Sequence, residues 1–219
     1  RPLTVANKNI STPIKAKNAD VYLVTAGSFN EYPDLLITNA EMKSFEKVSN
    51  ANPQLAAFTW GTSELMKFRT NEGQELQAAV YKPEGFDPAK KYPLMVYIYE
   101  RLSQNVNNFP EPRPTNSINV GIYVSNGYIV MTPDIAYKAG YPGESALNAV
   151  LPAVQKLIDQ GFVDPARIGI QGHSWGGYQI AYLVTRTKLF KAAAPGAVVG
   201  NMFSAYNGIR YGTGLPRQF

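Results

Sequence analysis

Short apolar runs separated by turn residues fill the first sixty positions of the chain. DVYLVTAG (20–27), DLLITN (34–39) and SFEKVS (44–49) predict β-strands, with segments rich in Asn, Pro and Gly between them. Regular short strands at this spacing are typical of a sandwich or of a propeller blade. Three strands form only a marginal sheet by themselves, so we expect this part to depend on other sequence for its stability.

From about residue 61 the pattern changes to strands that alternate with helices. SELMKFRT and ELQAAVYKP flank NEGQ (71–74) and predict a hairpin, and KYPLMVYIY (91–99) is a continuous apolar run, as in a strand buried on both faces. ESALNAVLPAVQKLIDQG carries apolar residues at helical spacing, with Gly161 as the residue after the helix. Pro152 inside this segment predicts either a kink in the first turn or the true start of the helix.

The alternation continues along the chain. INVGIYVSNG and WGGYQIAYLVTRT predict helices, and YIVMTPDI, RIGIQG and FKAAAPGAVV predict strands. Helices between buried strands indicate βαβ units and a parallel sheet, and therefore an α/β fold class. The sequence predicts a boundary between the two styles near residues 61–64.

Composition and charge narrow the possible functions. The chain is 45% hydrophobic and 17% charged, which describes a core-forming globular protein. Its formal charge is +5, but the basic residues form no stripe with stacking aromatics, so nucleic acid is not an expected partner. The absence of cysteine excludes disulfides and Cys-ligated metals, and a single histidine excludes sites that need two. We therefore expect no metal and no cofactor.

The stretch GIQGHSWGGYQIAY (169–182) carries the candidate chemistry. Ser174 is the central residue of Gly-x-Ser-x-Gly, between a predicted strand and a predicted helix, which is the pattern of a nucleophile elbow. Such a turn is strained, and Gly172, Gly176 and Gly177 leave room where backbones nearly touch. The Trp175 amide would then point toward a developing oxyanion. The alternative is a Gly/Ser turn with Ser174 as an ordinary helix N-cap.

Three stretches resemble the prolyl oligopeptidase family of serine peptidases. GFVDPARIGIQGHSWGGYQIAYLVTRT is similar to the elbow region of that family, and YPLMVYIYERLSQ to the strand and loop that carry an oxyanion-hole tyrosine. SNGYIVMTPDIAYKAGYPGES is similar to the strand and loop that follow. The likeness covers most of residues 61–215 in order. It implies an α/β-hydrolase catalytic domain preceded by a β-propeller.

The resemblance also implies roles for single residues. Ser174 would be the nucleophile, the Trp175 amide one oxyanion donor and the Tyr99 hydroxyl the second. Tyr99 ends a buried strand beside the elbow, where ligands bind in such sheets, although an ordinary buried aromatic is the alternative. Three residues would line the pocket for the residue before the scissile bond, or else belong to the core: Val199, Met202 and Tyr206.

Two positions depart from the family pattern. Val198 stands where proline is common, and ERL (100–102) replaces a small segment that contains glycine in some relatives. We interpret Glu100 and Arg101 as solvated charges, with contact to substrate as the alternative.

The partners of Ser174 are missing from this stretch of sequence. The only histidine is His173, and no Asp or Glu follows Asp164. In α/β-hydrolases the acid and then the base follow the serine along the chain. The ring of His173 would point away from the Ser174 hydroxyl, so we expect it to pack under the elbow.

We therefore expect an incomplete catalytic domain. Residues 1–62 would be terminal propeller strands and residues 63–219 the first part of the hydrolase domain, with the triad Asp and His beyond residue 219. The predicted function is a serine peptidase that cleaves oligopeptides, after proline or as a dipeptidyl peptidase. An esterase of the same fold and a non-catalytic binding module are the alternatives.

The expected partners are a peptide substrate and the remainder of the same polypeptide, and the sequence leaves a homo-oligomer open. The compartment is not defined by the sequence, although the resemblance suggests a periplasmic or secreted protein.

Overall fold

The computed structural model describes residues 3–216, which form two β-sheets and four α-helices. The strands are β1 (Asn9–Ile10), β2 (Ile14–Lys15), β3 (Tyr22–Ser28), β4 (Glu31–Thr38), β5 (Glu46–Lys47), β6 (Thr62–Arg69), β7 (Glu75–Lys82), β8 (Tyr92–Tyr97), β9 (Ile129–Pro133), β10 (Val163–His173) and β11 (Ala192–Gly196). The helices are α1 (Val120–Ser125), α2 (Pro142–Asp159), α3 (Trp175–Val184) and α4 (Met202–Asn207). The outermost residues of the predicted segments 1–62 and 63–219 lie outside the described residues.

The first sheet is antiparallel and belongs to the amino-terminal part of the chain. Its strand order is β1-β3-β4-β5, and β2 also pairs with β3. The β3–β4 hairpin confirms the strands predicted over 20–27 and 34–39. The strand predicted over 44–49 is shorter and covers only Glu46–Lys47. It ends there because the Leu35 N–H donates to the Ser49 hydroxyl oxygen instead of to a backbone carbonyl. The propeller interpretation of this sheet stays a prediction.

A buried carboxylate ties the end of this sheet together. Asp34 on β4 is 5% exposed and accepts hydrogen bonds from the Ser49 hydroxyl and the Ala51 amide. The Lys47 ammonium lies 2.5 Å from its second oxygen. The bonds to Lys47 and then to Ser49 hold the pKa of the Asp34 carboxyl at about 2, against a usual value of 3.8.

Acid will weaken the amino-terminal sheet through Asp34. A carboxyl with a lowered folded-state pKa stabilises the fold fully above its unfolded pKa and loses that contribution as the pH falls through the folded value. We expect the thermal unfolding temperature of the intact protein to decrease as the pH is lowered from about 4 to about 2. In Asp34→Asn this decrease should be smaller. Thermal melts from pH 2 to 6 measure it, with Asp20→Asn at an exposed position as the control. An unchanged acid slope in Asp34→Asn would contradict the assignment.

The second sheet has the strand order β11-β10-β8-β9-β7-β6. Strands β8, β9, β10 and β11 run parallel, whereas β6 and β7 form an antiparallel hairpin at one edge. The predicted hairpin and the predicted parallel βαβ units are therefore confirmed, and the fold class is α/β. Continuous apolar strands form the centre of the sheet because helices or other chain segments cover both of its faces.

Helix α2 continues through a proline, a residue that normally interrupts a helix, because its buried face packs in the core. The helix runs from Pro142 through Pro152 to Asp159, so the interpretation of Pro152 as the helix start is wrong. Val154 and Leu157, on its buried face, are fully inaccessible and pack in the same core as α3. Gly161 follows the C-cap residue with a φ of +92°, which confirms its predicted place just beyond the helix end. Within residues 3–216, each helix is too short or too polar to cross a membrane.

The helices divide between the two faces of the second sheet. Helices α2 and α3 pack on one face, whereas α1 and the Phe29 side chain from the first sheet pack on the other. The connection after β8 therefore crosses one face of the sheet, and the connection after β9 crosses the other. The strand order reverses between the adjacent strands β8 and β10, which end side by side. In open α/β sheets, this reversal creates the crevice in which ligands bind.

Candidate active site

Ser174 occupies a strained turn between β10 and α3. Its φ of 56° and ψ of −111° lie outside the regions that non-glycine residues usually adopt. Such a conformation costs on the order of 1–3 kcal/mol and persists only where the surrounding structure imposes it. The Ser174 amide donates to the Gly196 carbonyl at 2.8 Å, and the Ser174 carbonyl accepts from the Tyr178 amide at 3.1 Å. Bonds on both sides of the residue therefore hold the strained backbone.

The Ser174 hydroxyl does not cap the helix. Serine at an N-cap normally accepts a bond from an amide of the first turn, but the Ser174 side chain makes no such bond. This contradicts the alternative of an ordinary N-cap serine. The residue is half-buried at the carboxyl end of β10.

Three glycines allow the strands and helix around Ser174 to approach one another. A Cβ atom on Gly172 would lie 2.8 Å from the Ile98 carbonyl oxygen, and one on Gly176 would lie 2.3 Å from the same oxygen. A Cβ atom on Gly177 would lie 2.4 Å from the Gly196 carbonyl oxygen. Side chains at these positions would force β8 and β11 away from the elbow, so the glycines are a packing requirement of the turn.

Tyr99 lies against the elbow, two residues beyond the end of β8. Its Cα atom is 3.7 Å from the place that a Gly176 Cβ would take, and its side chain is 37% exposed. The alternative of an ordinary buried aromatic therefore does not describe it. Its carbonyl accepts hydrogen bonds from the Tyr137 hydroxyl and from the Gln179 side-chain amide.

Trp175 is the first residue of α3. Its backbone N–H stands at the positive end of the ten-residue helix, next to Ser174. Its indole stacks on Tyr178, with ring centroids 5.1 Å apart and planes 15° apart.

The three predicted pocket residues lie in the segment that follows β11. Val199 is half-buried in the connecting loop, and Met202 and Tyr206 are 38% and 67% exposed on α4. The loop meets the start of α3 because a Gly177 Cβ would lie 3.4 Å from the Val198 Cα. The exposure of Met202 and Tyr206 is unlike that of core residues, and the role of the three in a pocket stays a prediction.

His173 ends β10 and is half-buried. Its Nδ1 atom would lie 3.0 Å from a Cβ on Gly196, so the imidazole packs against β11 at the base of the turn. The described residues thus include a positioned serine but no second histidine to serve as its base.

Asp134 shows why the earlier carboxylates are not available for catalysis. It is 8% exposed and its oxygens accept from the Leu102 amide at 2.8 Å, the Ser103 amide at 2.9 Å and the Ser103 hydroxyl at 2.7 Å. All of its bonding therefore goes to the loop after Tyr99. Sequence reasoning missed this function, although an Asp directly after a buried strand was a visible signal.

Beside Tyr99 the surface opens into a polar cleft of about 510 Å³. Its lining residues are Glu72, Gln74, Glu100, Arg101, Ile135, Ala136, Tyr137 and Lys138. Glu100 and Arg101 are both exposed there, in agreement with their interpretation as solvated charges. Among residues 3–216, no three His, Cys, Asp or Glu side chains gather as a metal site would require.

Comparisons with known proteins agree with this geometry. The family model described as "Prolyl oligopeptidase family" matches residues 116–213. Mouse dipeptidyl peptidase 8 is 29% identical over 150 residues, which is 62% of this chain and 17% of that protein. Dipeptidyl-peptidase 5 of Porphyromonas gingivalis is 27% identical over 200 residues, which is 85% of this chain and 29% of that protein.

A solved structure shares the fold. The acylaminoacyl peptidase of Pyrococcus horikoshii superposes with a TM-score of 0.73 at 17% identity, covering 94% of this chain and 33% of that one. The strand order and the serine turn define an α/β protein. The chain is similar to members of the prolyl oligopeptidase family, whose model matches its residues 116–213. It spans about a sixth of the length of the first curated relatives that it matches.

Proposed function

We propose that the intact protein is a serine peptidase that hydrolyses peptide bonds of oligopeptides, with Ser174 as its nucleophile. The observation that carries the proposal is the conformation of Ser174, whose φ of 56° is held by bonds on both sides while its hydroxyl caps nothing. A strained turn that presents an uncommitted hydroxyl at a sheet edge is what nucleophilic catalysis needs. The match of residues 116–213 to the model of the prolyl oligopeptidase family supports the same function.

The reaction begins with attack of the Ser174 oxygen on the carbonyl carbon of the scissile peptide bond, while a base accepts the hydroxyl proton. The resulting oxyanion receives hydrogen bonds from the Tyr99 hydroxyl and the Trp175 backbone N–H. Collapse breaks the C–N bond, and the same base returns the proton to the leaving amine. Water then attacks the acyl-enzyme, which releases the acid product and restores Ser174.

The base and its carboxylate come from other sequence of the intact polypeptide. This stretch has no histidine besides His173 and no carboxylate after Asp164, and it spans only part of its relatives. In this proposal residues 63–219 are part of an α/β-hydrolase domain. Residues 1–62, whose strands β1 to β5 form the antiparallel sheet, belong to the end of a β-propeller.

The choice of substrate follows from the relatives, among which are proteins named as dipeptidyl peptidases and as a prolyl endopeptidase. We propose short peptides, cut after a dipeptide or after proline, with Val199, Met202 and Tyr206 near the side chain before the cut.

A comparison of amide and ester substrates tests the function. The intact protein should hydrolyse dipeptidyl p-nitroanilides such as Gly-Pro-p-nitroanilide, with kcat on the order of 1–100 per second. Turnover of p-nitrophenyl esters without amide turnover would replace the peptidase with an esterase of the same fold. No turnover of either, together with saturable binding of a peptide, would identify a binding module.

A further inference from the structure

The carbonyl of Tyr99 is the centre of a small, partly buried hydrogen-bond cluster. The Gln179 Nε2 atom donates to the Tyr99 carbonyl oxygen at 3.0 Å, and the Tyr137 hydroxyl donates to the same oxygen. Gln179 Nε2 also donates to the Tyr137 oxygen. Two side chains from different elements, α3 and the loop after β9, therefore grip one backbone carbonyl beyond the end of β8.

The hydrogen-bond inventory fixes the orientation of each group. A phenol has one proton, and Tyr137 gives it to the Tyr99 carbonyl, so its oxygen is left to accept from Gln179. The amide of Gln179 must place Nε2 toward Tyr99, because the reverse orientation would set two acceptors against each other. Burial raises the pKa of the Tyr137 phenol above its usual value, which keeps the hydroxyl a donor at any working pH.

A glutamine side chain at position 179 carries an energetic cost, because its polar group is buried. It is completely inaccessible, and its Oε1 atom has no hydrogen-bond partner among the residues that the structure describes. An apolar side chain would fill the same core position of α3 without leaving a buried acceptor unpaired. The bonds that Gln179 makes to Tyr99 and Tyr137 are therefore what its polar group adds to the structure.

The cluster bonds to a segment, around Tyr99, that has few hydrogen bonds to the rest of the sheet. Strand β8 ends at Tyr97, and the Ile98 amide still donates to Gln171 of β10 at 3.0 Å. Further along, the Glu100 carbonyl accepts from the Ile135 amide at 3.0 Å. Between these two bonds, the hydrogen bonds to the Tyr99 carbonyl fix the peptide plane next to the Tyr99 Cα atom, from which the phenol projects.

The grip also joins Tyr99 to the helix that carries the elbow. Gln179 lies on α3, five positions after Ser174, and its side chain bonds both the Tyr99 carbonyl and Tyr137. Any shift of Tyr99 relative to the start of α3 would therefore break at least one bond of the cluster. The two oxyanion donors of the proposed reaction are held at a set separation in this way.

We propose that Tyr137 and Gln179 are positioning residues that hold the Tyr99 hydroxyl in register with the Trp175 backbone N–H. The assignment rests on the proposed function for its kinetic consequences, but the placement of Tyr99 is a structural claim that stands without it. Neither residue touches the reacting atoms, so their effect on the reaction passes through Tyr99.

The kinetic experiment uses the intact protein with Tyr137→Phe, Gln179→Met and the control Tyr141→Phe, an exposed tyrosine of the same loop. We expect kcat on a dipeptidyl p-nitroanilide to fall on the order of 10- to 100-fold in the first two variants with KM within about twofold, because small misplacements of catalytic groups have effects of this size. Tyr141→Phe should retain the kcat of the unaltered protein. In a Tyr99→Phe background, Tyr137→Phe should cause less than about a twofold further loss. Equal losses in both backgrounds would overturn the proposal.

A spectroscopic readout separates this proposal from the proposed function. With 3-fluorotyrosine placed at residue 99, the ¹⁹F resonance should be single and narrow in the unaltered protein and in Tyr141→Phe. It should broaden or split in Tyr137→Phe and in Gln179→Met. An unchanged resonance in a folded Tyr137→Phe protein would overturn the positioning role even if peptides are cleaved. A changed resonance in a protein that cleaves no peptide would support the positioning role and reject the peptidase.

Discussion

Replacing Ser174 with alanine should reduce kcat for peptide hydrolysis by the intact protein on the order of 10⁴- to 10⁶-fold. Loss of the nucleophile removes the covalent route and leaves only the oxyanion donors and substrate binding, which together supply a small residual rate. The bonds that hold the turn come from the Ser174 backbone amide and carbonyl, so the variant should fold normally. Initial rates on Gly-Pro-p-nitroanilide, with the unfolding midpoint measured in parallel, provide the test.

A serine elsewhere in the same sheet domain supplies the control. Ser125 is exposed on α1, where its hydroxyl bonds only the Ile122 carbonyl of its own helix at 3.1 Å. Ser125→Ala should keep kcat within about twofold, since surface substitutions of this kind have small effects. A Ser174→Ala protein that retained more than a tenth of the original kcat would remove Ser174 from the role of nucleophile.

Replacing Gly176 with alanine should destabilise the second sheet by about 2 kcal/mol. Alanine is normally better than glycine inside a helix by about 1 kcal/mol, and Gly176 lies in the first turn of α3. Its new methyl group would, however, stand 2.3 Å from the Ile98 carbonyl oxygen, a backbone atom that moves only if β8 moves. Overpacking against a rigid neighbour typically costs 1–3 kcal/mol or more, so the steric term should exceed the gain in helix propensity.

Urea unfolding of the intact protein measures the effect, and Gly212→Ala is the matched control. A Cβ at Gly212 would meet nothing within 4 Å, so that variant should change the free energy of unfolding by less than about 0.5 kcal/mol. If Gly176→Ala were as stable as the unaltered protein, the close approach of α3 to β8 would not be a feature of the native molecule.

The parts of the fold that depend on local pattern could be predicted from the sequence. The β6–β7 hairpin, the alternating strands and helices and the Ser174 turn each occupy a short continuous stretch with its own periodicity or glycine spacing. Proline was a less reliable guide, because the buried face of α2 outweighs the lost hydrogen bond at Pro152. Ser49 shortened a predicted strand by replacing a backbone acceptor with its hydroxyl.

The support of the candidate site could not be predicted in the same way. Tyr137 and Gln179 reach the Tyr99 carbonyl from 38 and 80 positions away, and Asp134 reaches Ser103 from 31 positions away. Such bonds leave no periodic signal in the sequence, because each depends on how strands distant along the chain align in the sheet. The sequence therefore predicts an ordinary core position for a tyrosine or glutamine in an apolar stretch, unless its hydrogen-bond partner is known.

The turn at Ser174 has a consequence for the order in which the protein assembles. Its backbone depends on the Gly196 carbonyl of β11, and its glycines need the Ile98 carbonyl beyond β8 in place. Parallel strands pair across long loops and form slowly, whereas the adjacent β6–β7 hairpin can form early. An unfavourable serine conformation cannot persist before those strands dock. The turn of the proposed nucleophile thus takes shape only when folding of the sheet is complete, and nascent or partly folded chains do not yet hold it.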